Sequence, residues 1–266
     1  MPKAWKITSL NKCNEQEFML SIRENKLLHI FTLFDVKNAR DKTEIWIASR
    51  NQRKGYLIQF DKKIIHTHGD SECLPHLLKK IDAQEAKFAI EPQHLAQVEN
   101  LYAPTQASDA ASLGNITTYL IMSVRTQDFK PSITHQVTKV TANDLDDIFK
   151  DLGEEYGEKV QQAQNSGVAF GVRAEKRWVS VAIVPEIIEE IGFIRGVYTD
   201  PAFRGRGFST STMSASVKEL FRLRVKPGLW VAEDNAPAVR MYRKIGFKPS
   251  INTLLGFTAK KKYTFT

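Results

Sequence analysis

At 266 residues, 42% hydrophobic and 26% charged, the chain has ordinary globular composition and is long enough for one large or two modest domains whose core needs no staples. Its net charge of +8 favours anionic partners, but the basic residues are scattered; the one run, Lys260 to Lys262, reads as a solvated face and argues against a nucleic-acid interface. Cys13 and Cys73 lie far apart without CxxC pairing and no apolar run approaches the roughly 18 residues of a membrane span, so a soluble cytoplasmic protein with no membrane association is expected.

Asn14 can cap a helix that has Glu17 at its third position and Phe18 and Ile22 four apart, and the pattern runs on less cleanly through Leu27, Leu28, Ile30, Phe31 and Phe34. Three strand-like runs follow, at 44–49, 56–60 and 63–67. The bend His68-Gly69-Asp70 precedes a short helix with Leu74, Leu77, Leu78 and Ile81; 87–90 is a strand, and Glu91-Pro92 opens a helix with Leu95, Val98 and Leu101 in step. Residues 103–115, rich in Ala, Ser, Pro and Thr, read as loop, and 117–124 as strand. The polar segment ending in Pro131 suits a boundary between an N-terminal α/β domain, 1–130, and a second domain, 131–266. His66 and His68 would share one strand face, with His29, His76 and His94 elsewhere in this half, but no cysteine or carboxylate motif completes a ligand set, and no metal site is expected.

In the second half, 137–140 is a short strand, and Thr141-Ala142-Asn143-Asp144 starts a helix through Ile148, Phe149 and Leu152 that ends near Gly153. The acidic run Glu154, Glu155 and Glu158 reads as solvated surface. Strands at 168–172, 178–184 and about 187–199 come close together, with connections short enough for antiparallel neighbours. The last runs into Pro201, which cannot continue a central strand. Arg204-Gly205-Arg206-Gly207-Phe208-Ser209-Thr210 then turns into a helix with Phe208, Met213, Val217, Leu220 and Phe221 on one side. Strand, Gly-rich loop and helix in this order point bare backbone N–H groups and a helix N-terminus at phosphate. Glycines at 205 and 207 let main chain and ligand approach closely. Pro227-Gly228 ends the helix and 229–232 is a buried strand. Asn235 caps a further helix with Pro237 in its first turn, Ala238, Tyr242 and Ile245 on one face, and Gly246 placed to stop it. Residues 251–255 and 261–265 look like a closing hairpin.

Two of these motifs, in this order, resemble the GNAT acetyltransferase superfamily. Arg204-Gly205-Arg206-Gly207-Phe208-Ser209 resembles its cofactor loop, (Arg/Gln)-x-x-Gly-x-(Gly/Ala), and the whole Thr199 to Gly207 run is typical of it. The second signature of the family is matched by Asn235-x-x-Ala238-x-x-x-Tyr242-x-x-x-Gly246-Phe247. The specific part spans about 190–247 and the element order extends it over 135–266. The resemblance implies an α+β fold, a mixed, mostly antiparallel central sheet flanked by helices, and an N-acetyltransferase that moves an acetyl group from acetyl-CoA to an amine-bearing acceptor without a metal.

The resemblance also implies roles. Backbone N–H groups from Arg204 through Gly205, Arg206, Gly207 and Phe208 to Ser209 and Thr210 would hold the diphosphate of coenzyme A. Pantetheine would pair along Val197, Tyr198 and Thr199, where a splay between strands admits the acceptor. Asn235, with Ala238 on the same helix, matches the residues that hold pantetheine, and Tyr242 matches the acid that protonates the leaving thiolate. Asn235 would cap its helix with or without a cofactor, and Tyr242 could equally be a packed aromatic.

Two departures stand out. Ser209 replaces the last Gly or Ala of the loop, and Phe193 stands where many relatives carry a glutamate base. Glu189, Glu190, Glu233 and Asp234 are the nearby carboxylates, with Glu190 taken first as the base. The missing glutamate supports a second reading, a non-catalytic acyl-CoA-binding or regulatory module. The first half repeats the element order without the cofactor loop, having acidic Asp70-Ser71-Glu72 in its place, and so reads either as a degenerate GNAT-like half or as an unrelated α/β domain.

Overall fold

Strand β1 (Lys6–Ser9), helices α1 (Glu15–Ile22) and α2 (Ile30–Asn38), and strands β2 (Thr43–Arg50), β3 (Arg53–Phe60) and β4 (Ile64–Gly69) open the chain. The tight turns between β2, β3 and β4 carry Asn51, Asp61 and Lys62 at positive φ, and such short connections force antiparallel pairing. Helix α3 (Leu74–Leu78) crosses to β5 (Glu85–Ile90), which pairs parallel with β4; α4 (Leu95–Glu99) and β6 (Tyr102–Ala107) follow. Next come β7 (Thr117–Ser123), β8 (Thr138–Lys139), α5 (Leu145–Leu152), α6 (Glu154–Ser166), β9 (Val168–Ala174) and β10 (Arg177–Val184). The chain closes with β11 (Ile187–Ile188), β12 (Ile191–Phe193), β13 (Val197–Thr199), α7 (Phe208–Arg222), β14 (Lys226–Ala232), α8 (Ala236–Lys244) and β15 (Lys248–Lys261).

The computed structural model describes residues 4–108 and 114–262. The chain forms two units, the first made of residues up to 120 with 231–235 and those from 251 on, the second of 121–230 and 236–250. Both repeat one plan, antiparallel strands followed by a parallel pair across a helix: β4–α3–β5 in the first and β12–α7–β14 in the second. In the first unit Leu57, Ile65, Leu74, Leu77, Phe88, Ile90, Val98 and Phe257 form the core, each such side chain worth about 1.5–3 kcal/mol on full burial. In the second, Ile148, Leu152, Val160 and Ala163 of α5 and α6 cover Val181 and Ile183 of β10. Ser216 of α7 bonds the Ala182 carbonyl, so β10 has helices on both faces and is buried from Trp178 to Val184, apolar throughout but for Ser180, as a doubly covered strand should be.

Tertiary pairing overrides local expectation in several places. Pro104 and its neighbours, read as loop, form β6 because they pair with β15, with a register shift at Thr258 and Ala259 beside the proline. Pro227-Gly228 lies inside β14 and does not end α7, which stops at Arg222 before Arg224 takes positive φ. The acidic run at Glu154 opens α6, whose polar face it supplies. The supposed single strand 187–199 is three: Glu189 and Glu190, both at positive φ, make a tight turn that folds β11 back on β12. The closing residues form one strand to Lys261, and 263–265 of the expected hairpin lie outside the described residues.

His29, His68 and His94 of the first unit enter a largely buried polar network, while His76 is exposed. His68 Nδ1 lies 3.2 Å from Glu91 Oε1, which also accepts from the Gly69 amide at 3.0 Å. His94 bridges the Gly69 carbonyl (2.9 Å) and the Thr67 hydroxyl (2.8 Å), and the Tyr56 hydroxyl meets His29 Nδ1 at 2.7 Å. His66 lies against Phe31. Among the described residues no group of three His, Cys, Asp or Glu side chains could hold a metal ion. Burial, aided by the charge of His68, brings His29 and His66 down to about 3. Burial would raise the Glu91 carboxyl, but the His68 hydrogen bond and charge outweigh it and bring it to about 2.

His29 and His66 are therefore neutral in the folded chain and bind protons on unfolding between pH about 6.5 and the folded value near 3. Stability is complete above that window and falls as pH drops through it, by about 1.4 kcal/mol per pH unit for each histidine. Urea unfolding from pH 7 to pH 5 should show this decline, and His66→Leu should reduce its slope; equal slopes in the two proteins would reject the assignment.

Candidate active site

The site begins where one strand changes partners. β12 pairs parallel with β14, from Ile191 opposite Lys226 to Phe193 opposite Gly228, and the last bond of that ladder is Ile194 N–H to the Gly228 carbonyl at 2.8 Å. The next amide, of Arg195, donates instead to Ile183 of β10 at 2.8 Å. Gly196 follows at φ +80°, and a Cβ there would stand 3.0 Å from Lys159 Cδ and 3.3 Å from Ile183 Cδ1, so both conformation and space call for glycine. β13 then runs antiparallel to β10 as the edge strand of a four-stranded sheet, while β14 continues past Gly228 without that neighbour.

The edge is ordered by the ladder. Asp200 N–H donates to Val179 at 2.9 Å, and Tyr198 is opposite Val181. Antiparallel alternation therefore turns the amide and carbonyl of Tyr198 onto β10 and those of Val197 and Thr199 to the outer edge. Tyr156 of α6 lies beside this bend, its ring 4.5 Å from that of Tyr198, and burial pushes its hydroxyl up to about 12.

Beyond Thr199, Asp200 caps the turn Pro201–Phe203 by accepting from the Ala202 amide at 2.9 Å. Gly205 and Gly207 sit at φ +77° and +83°, and Gly207 is the N-cap of α7. A Cβ at Gly205 would meet nothing and one at Gly207 only ordinary contacts, so backbone conformation is what these glycines serve. The first amide of α7 with a partner is that of Ser211, which donates to Gly207 at 3.1 Å. Among the described residues no acceptor takes the N–H groups of Gly205 to Thr210. Six consecutive open amides at the positive end of a 15-residue helix are an arrangement that could hold an anion. The arginines are held back: Arg204 Nε donates to the Thr199 carbonyl at 3.1 Å, and the Arg206 guanidinium lies over Phe203 at 5.3 Å.

Asn235 occupies the turn between β14 and α8, its amide on the Ala232 carbonyl at 3.1 Å, and Ala238 lies one turn before Tyr242 on α8. The Tyr242 ring is buried near Phe247, while its hydroxyl has no hydrogen-bond partner among the described residues. Burial holds that hydroxyl well above the usual tyrosine range, so it keeps its proton. Gly246, at φ +104°, passes so close to Asp128 that a Cβ would lie 2.1 Å from its carbonyl oxygen, which fixes the end of α8. Phe193 is buried, its ring edge-on to that of Trp230 with centroids 5.7 Å apart. Glu190 is exposed in the β11–β12 turn, its carbonyl bonded to the amide of Lys226 at the start of β14. Glu233 and Asp234 are exposed just before Asn235.

The sequence reading passed over His135 and Tyr156. The first sits in a linker without a motif and the second in the run taken as solvated surface. An isolated glycine inside a strand pattern, Gly196, was the available signal for the bend.

Residues 139–247 match the model of the acetyltransferase (GNAT) family. No curated protein sequence matches the chain. Among solved structures, a Drosophila protein is similar at 11% identity and TM-score 0.66, covering 94% of this chain and 98% of that one. A GCN5-related N-acetyltransferase from Sphaerobacter thermophilus is similar at 12% identity and TM-score 0.63, covering 98% and 96%. A tandem GNAT protein from the clavulanic acid biosynthesis pathway is similar at 11% identity and TM-score 0.59, covering 98% and 100%. At such identities the likeness is one of fold. Residues 139–247 are thus a domain of the GNAT acetyltransferase family, in a chain whose N-terminal half has a GNAT-like fold as well.

Proposed function

We propose that the second unit is an N-acetyltransferase with acetyl-CoA as donor and an amine as acceptor, and that the catalytic domain begins near residue 131 while 1–130 form the non-catalytic GNAT-like half. The observation that carries this reading is the transfer of one strand from β14 to β10 at Arg195–Gly196, with the open amides of Gly205 to Thr210 a few residues further on. Val197 and the amide of Thr199 offer an open backbone edge to the pantetheine arm, the Thr199 carbonyl being taken by Arg204, and the loop amides hold the diphosphate. Asn235 and Ala238 border the same arm. A main-chain N–H at the bend polarises the thioester carbonyl, as a donor aimed at developing negative charge does.

The acceptor nitrogen forms the new N–C bond as the C–S bond breaks, its surplus proton passes to water, Tyr242 gives its proton to the departing thiolate, and the phenolate regains a proton from water. A tyrosine kept protonated by burial, with a hydroxyl not engaged elsewhere, suits that role. Glu190, in the turn that opens β12, is the carboxylate taken first for the base, with Glu233 and Asp234, directly or through water, as the others. An acceptor that arrives as the neutral amine needs no dedicated base. The apolar Phe193–Trp230 contact at the position of the usual base favours a second reading, a module that binds acyl-CoA without turnover. Release of free CoA thiol over a panel of amines and peptides separates the two, since a pure binder releases none.

Isothermal titration should show the wild type binding acetyl-CoA, and absence of binding would sink the assignment. Gly207→Asp, which puts a carboxylate at the cradle and a side chain at φ +83°, should abolish that binding. Because the Tyr242 hydroxyl is not engaged within the protein, Tyr242→Phe should leave the melting temperature nearly unchanged and lower turnover about a hundredfold or more, with acetyl-CoA affinity little altered. Undiminished turnover would remove Tyr242 from the acid role.

A further inference from the structure

His135 lies in the linker before β8, outside every motif that defines the domain. Its Nε2 lies 2.7 Å from the Arg206 carbonyl oxygen, and its ring stacks on Phe208 with centroids 4.1 Å apart. A carbonyl only accepts, so Nε2 carries the proton. The linker is itself fastened to α7: the amide of Ser132 donates to Ser214 Oγ at 3.0 Å and that of Thr134 to Ser211 Oγ at 3.1 Å.

The Arg206 carbonyl and the Gly207 amide belong to one peptide unit. That unit is planar and trans, so its C=O and N–H point in opposite directions. The unit is flanked by Gly205 and Gly207, whose freedom at positive φ would otherwise let the plane turn over. Turned over, it would aim a carbonyl lone pair where the cradle needs a donor. We propose that His135 is a positioning residue for the coenzyme site: by holding the Arg206 carbonyl on the linker side it keeps the Gly207 N–H on the open side of the loop, toward the diphosphate. The inference rests on the coenzyme A reading of that loop. The donated hydrogen bond is the working element, and neither the charge of the imidazole nor contact with the ligand is needed.

The test compares acetyl-CoA with acetyl-pantetheine, which lacks the diphosphate, by titration against the wild type, His135→Ala and His135→Gln, with melting temperatures of the free proteins as a check on folding. Loss of the clamp in His135→Ala should weaken acetyl-CoA about tenfold and leave acetyl-pantetheine unchanged, a selectivity that general damage to the fold would not produce. His135→Gln places an uncharged N–H donor at similar reach and should recover most of the loss. Wild-type affinity in His135→Ala, or a His135→Gln protein as weak as the alanine variant, would overturn the proposal. Failure of the wild type to bind acetyl-CoA would instead overturn the coenzyme reading itself, and this inference with it.

Discussion

A backbone amide must find a partner, and the second unit is built around amides that find none within the fold. At Arg195–Gly196 a strand leaves β14 for β10, and from there to the first turn of α7 one short stretch of chain presents an outer strand edge and then a row of open helix-terminal donors. The proposed donor, with its amide-bearing arm and diphosphate, would meet that row of groups. Gly196 permits the bend, Gly205 and Gly207 permit the loop, and the apolar α5–α6 and α7 layers hold β10 as the fixed rail against which both are set.

The first unit follows the same plan with the opposite outcome. β4 and β5 stay paired to Thr67 opposite Ile90. Just beyond, the amide of Gly69 is taken by Glu91 and its carbonyl by His94. Asp70 and Glu72, where the second unit has its glycine loop, pair with Arg53 and Arg50. Side chains of the protein thus satisfy backbone groups at the place where the second unit leaves them open, His94 directly and His68 through its contact with Glu91.

Much of the site was legible because short-range rules govern it. The spacing of Gly205 and Gly207, the proline that stops β13, and the periodicity joining Ala238, Tyr242 and Ile245 before Gly246 are local signals, and each element lies where they predict. The misreadings share one cause. Pro104 and Pro227 read as breakers, yet each is in a strand because another strand is beside it. Glu189 and Glu190 read as strand residues, but their turn conformation moves Glu190 to the far end of β12. His135 has no sequence neighbour to explain it; its partner is Arg206, seventy-one positions on.

The sequence by itself determined most of the element types, the glycine loop before α7 and the family resemblance, since all of these depend on residues within a turn or two of each other. Only the tertiary structure decided which strand edge is left open, that Glu189 and Glu190 form a turn, and that a linker histidine meets the loop. Those depend on pairing between distant segments, where a single glycine redirects a strand and the surrounding core decides which partner it meets.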